Sequence, residues 1–504
     1  MITFMVSSKK ILDLKADCSV FFLEQDFAFS KDLVQVEKKY FPKLKQFLKF
    51  KEFKGAQKSS LLMNACDNQE MFHLLFLGLG KSSKGKKIDV ENFRRALGLL
   101  IRVAEKNKFK KLAVKLPTAS LFGVTQQYLG KQVATIINMA SYHFDTFITQ
   151  KAYKLPHNFE ITLCVADKDK KAITKGLKEG ESISEAVNKA RNWVDLPPAD
   201  LTPMQLADAA KKIAKKHDIK ITVFNEKKVE QLKMGGLVAV SKGSERDCAL
   251  VIMEYKAKKK TAPTLAFVGK GVTFDSGGLS LKPSAAMETM KEDMSGAAAV
   301  IASMDALANL KPKVNIVCVA PLAENLPSGN ATMPGDIITF YNGKTAEVKN
   351  TDAEGRLILA DALSYVEKHY KPDAIVDLAT LTGACLYALG PFFCGMMGKH
   401  EGLLKKVQRA SDLSGDRVWN LPFHDDYKPA IKSTVADISN IGSKKYLAGT
   451  VTAGFFLKNF VKDTPWVHLD IAGTAFNVPD ISYFRDGATG FGVRLLVELA
   501  LNWS

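Results

Sequence analysis

Over the first 180 residues the apolar positions follow two different periods. H-L-L-F-L-G-L-G (73–80), K-L-A-V-K-L (111–116) and F-E-I-T-L-C-V-A (159–166) are short apolar runs and predict strands. Between them, N-F-R-R-A-L-G-L-L-I-R-V-A-E-K (92–106) repeats its apolar residues at helical spacing. Alternation of this kind predicts an α/β domain. G-E-S-I-S-E-A-V-N-K-A-R-N-W-V (180–194) reads as a helix with Ser182 or Ser184 as N-cap, stopped by the prolines of D-L-P-P-A-D-L-T-P (195–203). The alternation then resumes through T-P-M-Q-L-A-D-A-A-K-K-I-A-K-K, I-K-I-T-V-F, K-V-N-I-V-C-V-A and D-A-I-V-D-L-A. It predicts a mixed or mostly parallel central sheet flanked by helices. The expected organisation is α/β throughout: an N-terminal domain over 1–178, a linker helix and proline-rich turn over 179–203, and a larger domain over 204–504.

Composition narrows the class. A chain of 504 residues exceeds one ordinary core, and 46% hydrophobic with 25% charged residues fits a soluble globular protein. No run of 18 apolar residues exists for a transmembrane helix, and the N-terminus lacks the basic-then-apolar order of a signal peptide. Seven cysteines, an odd number without C-x-x-C, read as reduced thiols of a cytoplasmic protein with no membrane partner.

The net charge of +18 is uneven: residues 1–180 hold 32 Lys+Arg against 17 Asp+Glu, and the remainder 39 against 36. Runs such as K-S-S-K-G-K-K (81–87) and K-N-K-F-K-K (106–111) would suit DNA, another nucleic acid or an anionic membrane surface. A solvated lysine-rich face is the plainer reading, because lysine dominates arginine and aromatic interleaving is thin.

The chemistry concentrates further along. N-T-D-A-E-G-R-L (350–357) packs Asp352, Glu354 and Arg356 into five positions at what looks like a helix start. Taken alone, the octet fits a metal ion or surface salt bridges. Upstream lie V-G-K-G-V-T-F-D-S-G-G-L-S-L-K (268–282) and M-K-E-D-M-S-G (290–296). Lys270 follows the apolar run Leu265–Val268, at a strand end of the kind where open α/β sheets place ligands. Asp293 sits in a segment too apolar for a solvated face, and a buried aspartate needs a partner. Asp275, Asp293, Asp352 and Glu354, with two lysines and an arginine, are best balanced by divalent cations, and more readily by two than by one. The histidines are scattered and H-E-x-x-H is absent, so magnesium, manganese or zinc held through carboxylates is expected.

With these residues in view, the chain resembles the leucyl aminopeptidases, two-metal cytosolic exopeptidases whose signature is N-T-D-A-E-G-R-L. Further blocks carry the resemblance in order: 269–283, K-E-D-M-S-G-A-A-A-V (291–300), E-N-L-P-S-G-N-A (324–331), D-L-A-T-L-T-G-A (377–384) and H-L-D-I-A-G-T-A (468–475). Together they span roughly residues 180 to 500. The resemblance implies a macro-like N-terminal domain beside the catalytic one. Lys270, Asp275, Asp293 and Glu354 would bind one metal, and Asp275, Asp352 and Glu354 the other. Lys282 would be the catalytic lysine, and Arg356 the anchor of a bicarbonate serving as general base. Met290, Thr380, Leu381, Gly383, Ala472 and Ala475 would line a pocket for leucine-like side chains, although the small residues among them also suit helix packing. Asp470 and His468 read as structural. Peptides would be the substrates and a homohexamer the assembly.

Bottom-up, one metal would take the peptide's free α-amine while the other polarises the scissile carbonyl. Lys282 would stabilise the developing anion. No side chain in the motifs is an evident general base. The chain departs from the family pattern at Met333, and at 443–454, which lacks the glycine-rich loop usual before T-A-G. Two rivals remain. A DNA-binding regulator with secondary peptidase activity would use the basic N-terminal third. A phosphoesterase would use the carboxylates, but Lys270 as a ligand has no phosphate logic and no Walker loop is present.

Overall fold

The computed structural model describes residues 2–67, 70–82, 87–150 and 158–503. It divides into two compact units: Met1–Glu185 with Asp480–Arg485, and Ala186–Pro479 with Asp486–Ser504. Residues 83–86, most of the basic run at 81–87, lie outside the described residues.

In chain order the first unit contains β1 (Ile2–Ser7), β2 (Cys18–Glu24), α1 (Lys31–Lys39), α2 (Leu44–Phe50), β3 (Ser60–Asp67) and β4 (Glu70–Gly80). It continues with α3 (Val90–Lys106), β5 (Lys111–Lys115), α4 (Gln126–Ala140), β6 (Phe159–Cys164) and α5 (Lys170–Asp195). The six-stranded sheet runs β1-β6-β5-β2-β4-β3, parallel except for the β3–β4 pair. Helix α3 forms where the periodicity predicts it. Asp89 caps its first turn, and Phe93, Leu97, Leu100, Ile101 and Ala104 make the buried stripe.

Helix α5 differs from its expected span, starting at Lys170 instead of residue 180. Ser182 and Ser184 are therefore interior, and Ser184 Oγ donates back to the Glu181 carbonyl. Two glycines on this helix are contact points. A Cβ on Gly176 would meet the Gln127 carbonyl oxygen at 1.9 Å, and one on Gly180 the Lys131 carbonyl at 2.4 Å. They let α5 lie against α4. The boundary between the units falls inside this one helix, between Glu185 and Ala186.

The second unit opens with α6 (Pro203–His217), whose Thr202 and Gln205 form a capping box directly after the proline turn. There follow β7 (Lys220–Asn225), α7 (Glu226–Gln231), α8 (Gly235–Ser241), β8 (Ala249–Tyr255), β9 (Thr264–Gly269), β10 (Gly271–Asp275), α9 (Ser284–Met287) and α10 (Ser295–Leu310). Next come β11 (Asn315–Asn325), β12 (Ile337–Thr339), β13 (Thr345–Glu347), α11 (Gly355–Tyr370), β14 (Ala374–Ala379), α12 (Gly383–Leu389) and β15 (Cys394–Gly398). The last are α13 (Glu401–Ser414), β16 (Val418–Asn420), β17 (Ile438–Ser439), α14 (Gly449–Lys458), β18 (Trp466–Asp470) and α15 (Val493–Leu501).

The main sheet is ordered β16-β15-β18-β14-β9-β11-β8-β7, with β10 paired to β11. Its centre, β18-β14-β9-β11, is parallel, while β8 and β15 join antiparallel, so the sheet is mixed. The parallel strands are buried on both faces and read as continuous apolar runs, which is why their sequences do not alternate. Helix α10 is buried over nearly its whole length, and Asp305 on it is ion-paired with Lys189, Lys216 and His217. Among the described residues no helix is long and apolar enough to cross a membrane.

Candidate active site

The site gathers at the carboxyl ends of the parallel strands. Lys270 directly follows β9, and its backbone N–H donates to the Leu378 carbonyl of β14 at 3.0 Å. Asp275 ends β10. Gly277 and Gly278 then turn the chain through positive φ, +86° and +64°, and carry it on toward Lys282. Asp293 lies in a 3₁₀ turn ahead of α10. Glu354 is the N-cap of α11, and Asp352 sits in the turn before it, so the expected helix begins after both carboxylates.

These residues converge. Lys270 Nζ lies 2.7 Å from Asp293 Oδ1, 2.8 Å from Glu354 Oε1 and 2.8 Å from the Thr380 carbonyl oxygen. A Cβ on Gly355 would fall 2.5 Å from Lys270 Cε, so the glycine of D-A-E-G-R makes room for the lysine. Lys282 Nζ stands 2.8 Å from Asp275 Oδ2 and also pairs with Asp352. Asp275, Asp293 and Glu354 each offer an oxygen within 4.8 Å of one another, and all three are buried.

Two lysines thus face four carboxylates, and the pairing is incomplete. Asp293 Oδ2 and Glu354 Oε2 are buried and have no hydrogen-bond partner. Oxygens left this way are costly unless a cation or proton meets them. The donor set, with no thiolate or imidazole, suits hard or borderline divalent ions. The residues fit metal.

The electrostatics agree with that fit. Burial and the charge of Glu354 push Asp275 up to about 6 against the pull of Lys282 and Lys270. Burial also raises Asp293 and Asp352, each partly offset by its lysine. Burial works against the charge on Glu354, yet Lys270 and Lys282 outweigh it and hold this carboxyl low. Burial likewise opposes the ammonium of Lys270, but Asp293, Glu354 and Asp275 keep it protonated beyond its ordinary range.

Above the cluster opens a cleft of about 300 Å³, whose walls include Asp352, Arg356, Leu381, Gly383, Ile441 and Leu447. Arg356 is buried; its Nη1 donates to the Asn440 carbonyl oxygen at 2.8 Å and its Nε has no partner. Burial lowers it to about 10 despite the charges of Glu354, Asp470 and Asp352. Of the expected pocket residues, only Leu381 and Gly383 line this cleft. Thr380 turns inward, its hydroxyl donating to Asp293 Oδ1 at 2.8 Å. Ala475 is buried, while Met290 and Ala472 are half-buried outside the cleft.

Several supporting residues carry no local signature. Asn325 Nδ2 donates to Asp275 Oδ1 at 2.8 Å and to the Thr351 carbonyl at 3.1 Å. Asp470, fully buried, accepts from the backbone N–H groups of Leu381 and Thr382 and, at 2.6 Å, from the Thr382 hydroxyl. His468 Nδ1 pairs with Asp377 at 2.6 Å deeper in the sheet. Asn325 lies within the E-N-L-P block and Asp470 within H-L-D-I-A-G, so the blocks flagged both segments without assigning either residue to the site.

Comparison with known proteins bears on the whole chain. Residues 188–497 match the cytosol aminopeptidase family, catalytic domain, and residues 20–151 match the cytosol aminopeptidase family, N-terminal domain. A probable cytosol aminopeptidase of Chlorobaculum parvum is 41% identical over 517 residues, covering 99% of each chain. One from Alkaliphilus oremlandii is 39% identical over 448 residues, covering 89% of this chain and 88% of its own. Among solved structures, the bottromycin maturation enzyme BotP superposes with a TM-score of 0.83 at 30% identity, over 97% of this chain and 99% of that one. The same enzyme in complex with Mn gives 0.84 at 29%, over 97% and 100%.

Proposed function

The chain belongs to the cytosol aminopeptidase family and is a metal-dependent aminopeptidase, and on that premise we propose that it removes leucine and other apolar N-terminal residues from peptides by a two-metal hydrolysis. The observation that carries this reading is the cluster of four carboxylates, three of them buried, around two lysines, with Asp293 Oδ2 and Glu354 Oε2 unpartnered. Lys270, Asp275, Asp293 and Glu354 would hold one ion, and Asp275, Asp352 and Glu354 the other. Two divalent ions in that place supply Lewis acidity and a water acidic enough to attack at neutral pH.

The side chains do the rest. Lys270 joins the ligand set only as the neutral amine, since an ammonium has no lone pair. Lys282 carries its ammonium beside Asp275 and Asp352, where it donates to the carbonyl oxygen as negative charge develops there. All four carboxylates are engaged, so none is free as general base. Arg356 faces the cleft with an unpartnered Nε, and its planar guanidinium suits a bicarbonate able to accept the proton. Asp470 positions Leu381 and Thr382 against the substrate through three hydrogen bonds. Manganese or zinc would be the working ion, with magnesium a third choice.

Assembly as a homohexamer in the cytoplasm belongs to the same reading. Light scattering should return six times the chain mass.

The activity test is release of a leucine anilide by metal-stripped protein re-supplied with manganese, zinc or magnesium, beside Glu354→Ala. Turnover should return with metal in the wild type only. Metal-independent release, or an unimpaired variant, refutes the reading.

A further inference from the structure

A separate cavity of about 1150 Å³ lies at the other end of the sheet from the catalytic cluster. On its wall, Pro372 and Asp373 lead into β14, and Thr464 and Pro465 into β18, the strands whose far ends lead to Thr380 and Asp470. Helix α11 likewise starts at the cluster and ends here, where Lys368 and Lys371 line the cavity. No residue lines both this cavity and the catalytic cleft.

Its charge is out of balance. Five lysines line it, Lys344, Lys368, Lys371, Lys458 and Lys462, against the carboxylates Glu367, Asp373 and Asp463. Beyond residue 180 the chain holds 39 Lys+Arg against 36 Asp+Glu, so the excess is local. The carboxylates are also engaged elsewhere. Glu367 accepts the backbone N–H groups of Lys462, Asp463 and Thr464 at 2.7, 3.0 and 2.9 Å, and Asp373 that of Thr264 at 2.7 Å. Asp463 is exposed and 4.0 Å from Lys462, a pair worth little in water. Lys344 donates to Asn459 Oδ1 at 3.0 Å, Lys458 to the Val461 carbonyl at 2.9 Å, and Lys368 lies over the Tyr341 ring, all neutral partners. Burial, joined by the charges of Lys399 and Lys428, holds Lys458 below the ordinary lysine range against the pull of Glu367 and Asp463.

Helix-end carbonyls attract lysines, which accounts for Lys368, Lys371 and Lys458. Lys344, on the turn between β12 and β13, and Lys462, in the loop before β18, have no such reason to be there. Size then selects the ligand. Pockets for small molecules run to about 300–1,000 Å³, so a lone inorganic anion would leave most of this one to water. Buried Phe460, Val461 and Pro372 give it an apolar floor. Several ammonium groups without a carboxylate partner call for more than one dianionic group. We infer that the cavity binds a small organic molecule carrying two phosphate groups, with its carbon frame on the apolar floor. The site is independent of the aminopeptidase reading.

The test is isothermal titration of the full-length, metal-loaded protein with fructose 1,6-bisphosphate, beside orthophosphate. The bisphosphate should bind about tenfold more tightly than orthophosphate. Lys344→Gln and Lys371→Gln should each weaken its binding about tenfold, the worth of one charge-assisted hydrogen bond, with turnover of leucine anilide unchanged. Arg356→Gln, which removes the guanidinium of the catalytic cleft, should leave the binding as it is. A wild type that binds no bisphosphate, or binds orthophosphate as tightly, overturns the inference. Undiminished binding by both lysine variants does the same, and so does binding lost in Arg356→Gln, which puts the ligand in the catalytic cleft.

Discussion

Two charge clusters in the second unit each pair buried carboxylates with lysines and end in opposite states. Around Asp305 one carboxylate meets the ammonium groups of Lys189 and Lys216 and the ring of His217. Burial works against its charge, but those partners overcome it and hold the carboxyl at about 2. In the catalytic cluster four carboxylates meet two lysines, Asp275 is pushed up to about 6, and two oxygens have no partner. The difference separates a structural ion-pair network from the proposed metal centre: the first is saturated by its own partners, the second has carboxylate oxygens to spare.

That contrast can be broken in order of expected effect. Glu354→Gln removes the carboxylate that faces both lysines and should lower turnover on the order of 10³-fold with little loss of fold, measured by anilide kinetics beside circular dichroism. Asp305→Asn should do the reverse. It removes the carboxylate that Lys189, Lys216 and His217 share and should cost about 3 kcal/mol in chemical denaturation, near the low end for a broken buried pair because Lys189 and Lys216 reach solvent. Its kcat/KM should stay within about twofold of wild type. Metal should stabilise the wild type by about 2.7 kcal/mol at a hundredfold excess over Kd, and Asp293→Asn much less, read from melting temperature against metal concentration.

The pH responses run in opposite directions. Asp305 has a depressed pKa, so its contribution is complete above the ordinary aspartate value of 3.8 and is lost as pH falls toward about 2. Asp275 has a raised pKa, so in metal-free protein its ionisation becomes a growing penalty as pH rises from 3.8 to about 6. Protons therefore compete with metal at Asp275. Metal affinity should fall steeply below about pH 6 while the Asp305 network still stands, which isothermal titration across pH 5 to 8 would measure.

The same contrast explains what the sequence made legible. The carboxylates proposed to hold metal lie in dense polar motifs after apolar strands, so Asp275, Asp293, Asp352 and Glu354 stood out locally as candidates. Asp305 lies within an apolar helical run, and its partners are 88 to 116 residues away, beyond any local pattern. Asn325 and Asp470 escaped for the same reason, since each acts on the site through residues distant in sequence. Helix α5 was expected to start at residue 180, with Ser182 or Ser184 as N-cap, but it begins at Lys170, and Gly176 and Gly180 allow its close approach to α4. The α/β class was legible in the alternation of periods and the division into two units in the chain length, while the alternation left a mixed or a mostly parallel sheet open.

The central claim is that the catalytic cluster, unlike the Asp305 network, is completed by cations from outside the chain. Metal content settles it most directly, as equivalents of manganese or zinc retained per chain by elemental analysis after dialysis at pH 8. The account predicts two equivalents for the wild type, two for Asp305→Asn and at most one for Glu354→Gln. A wild type that retains none, or a Glu354→Gln variant that still retains two, would contradict it.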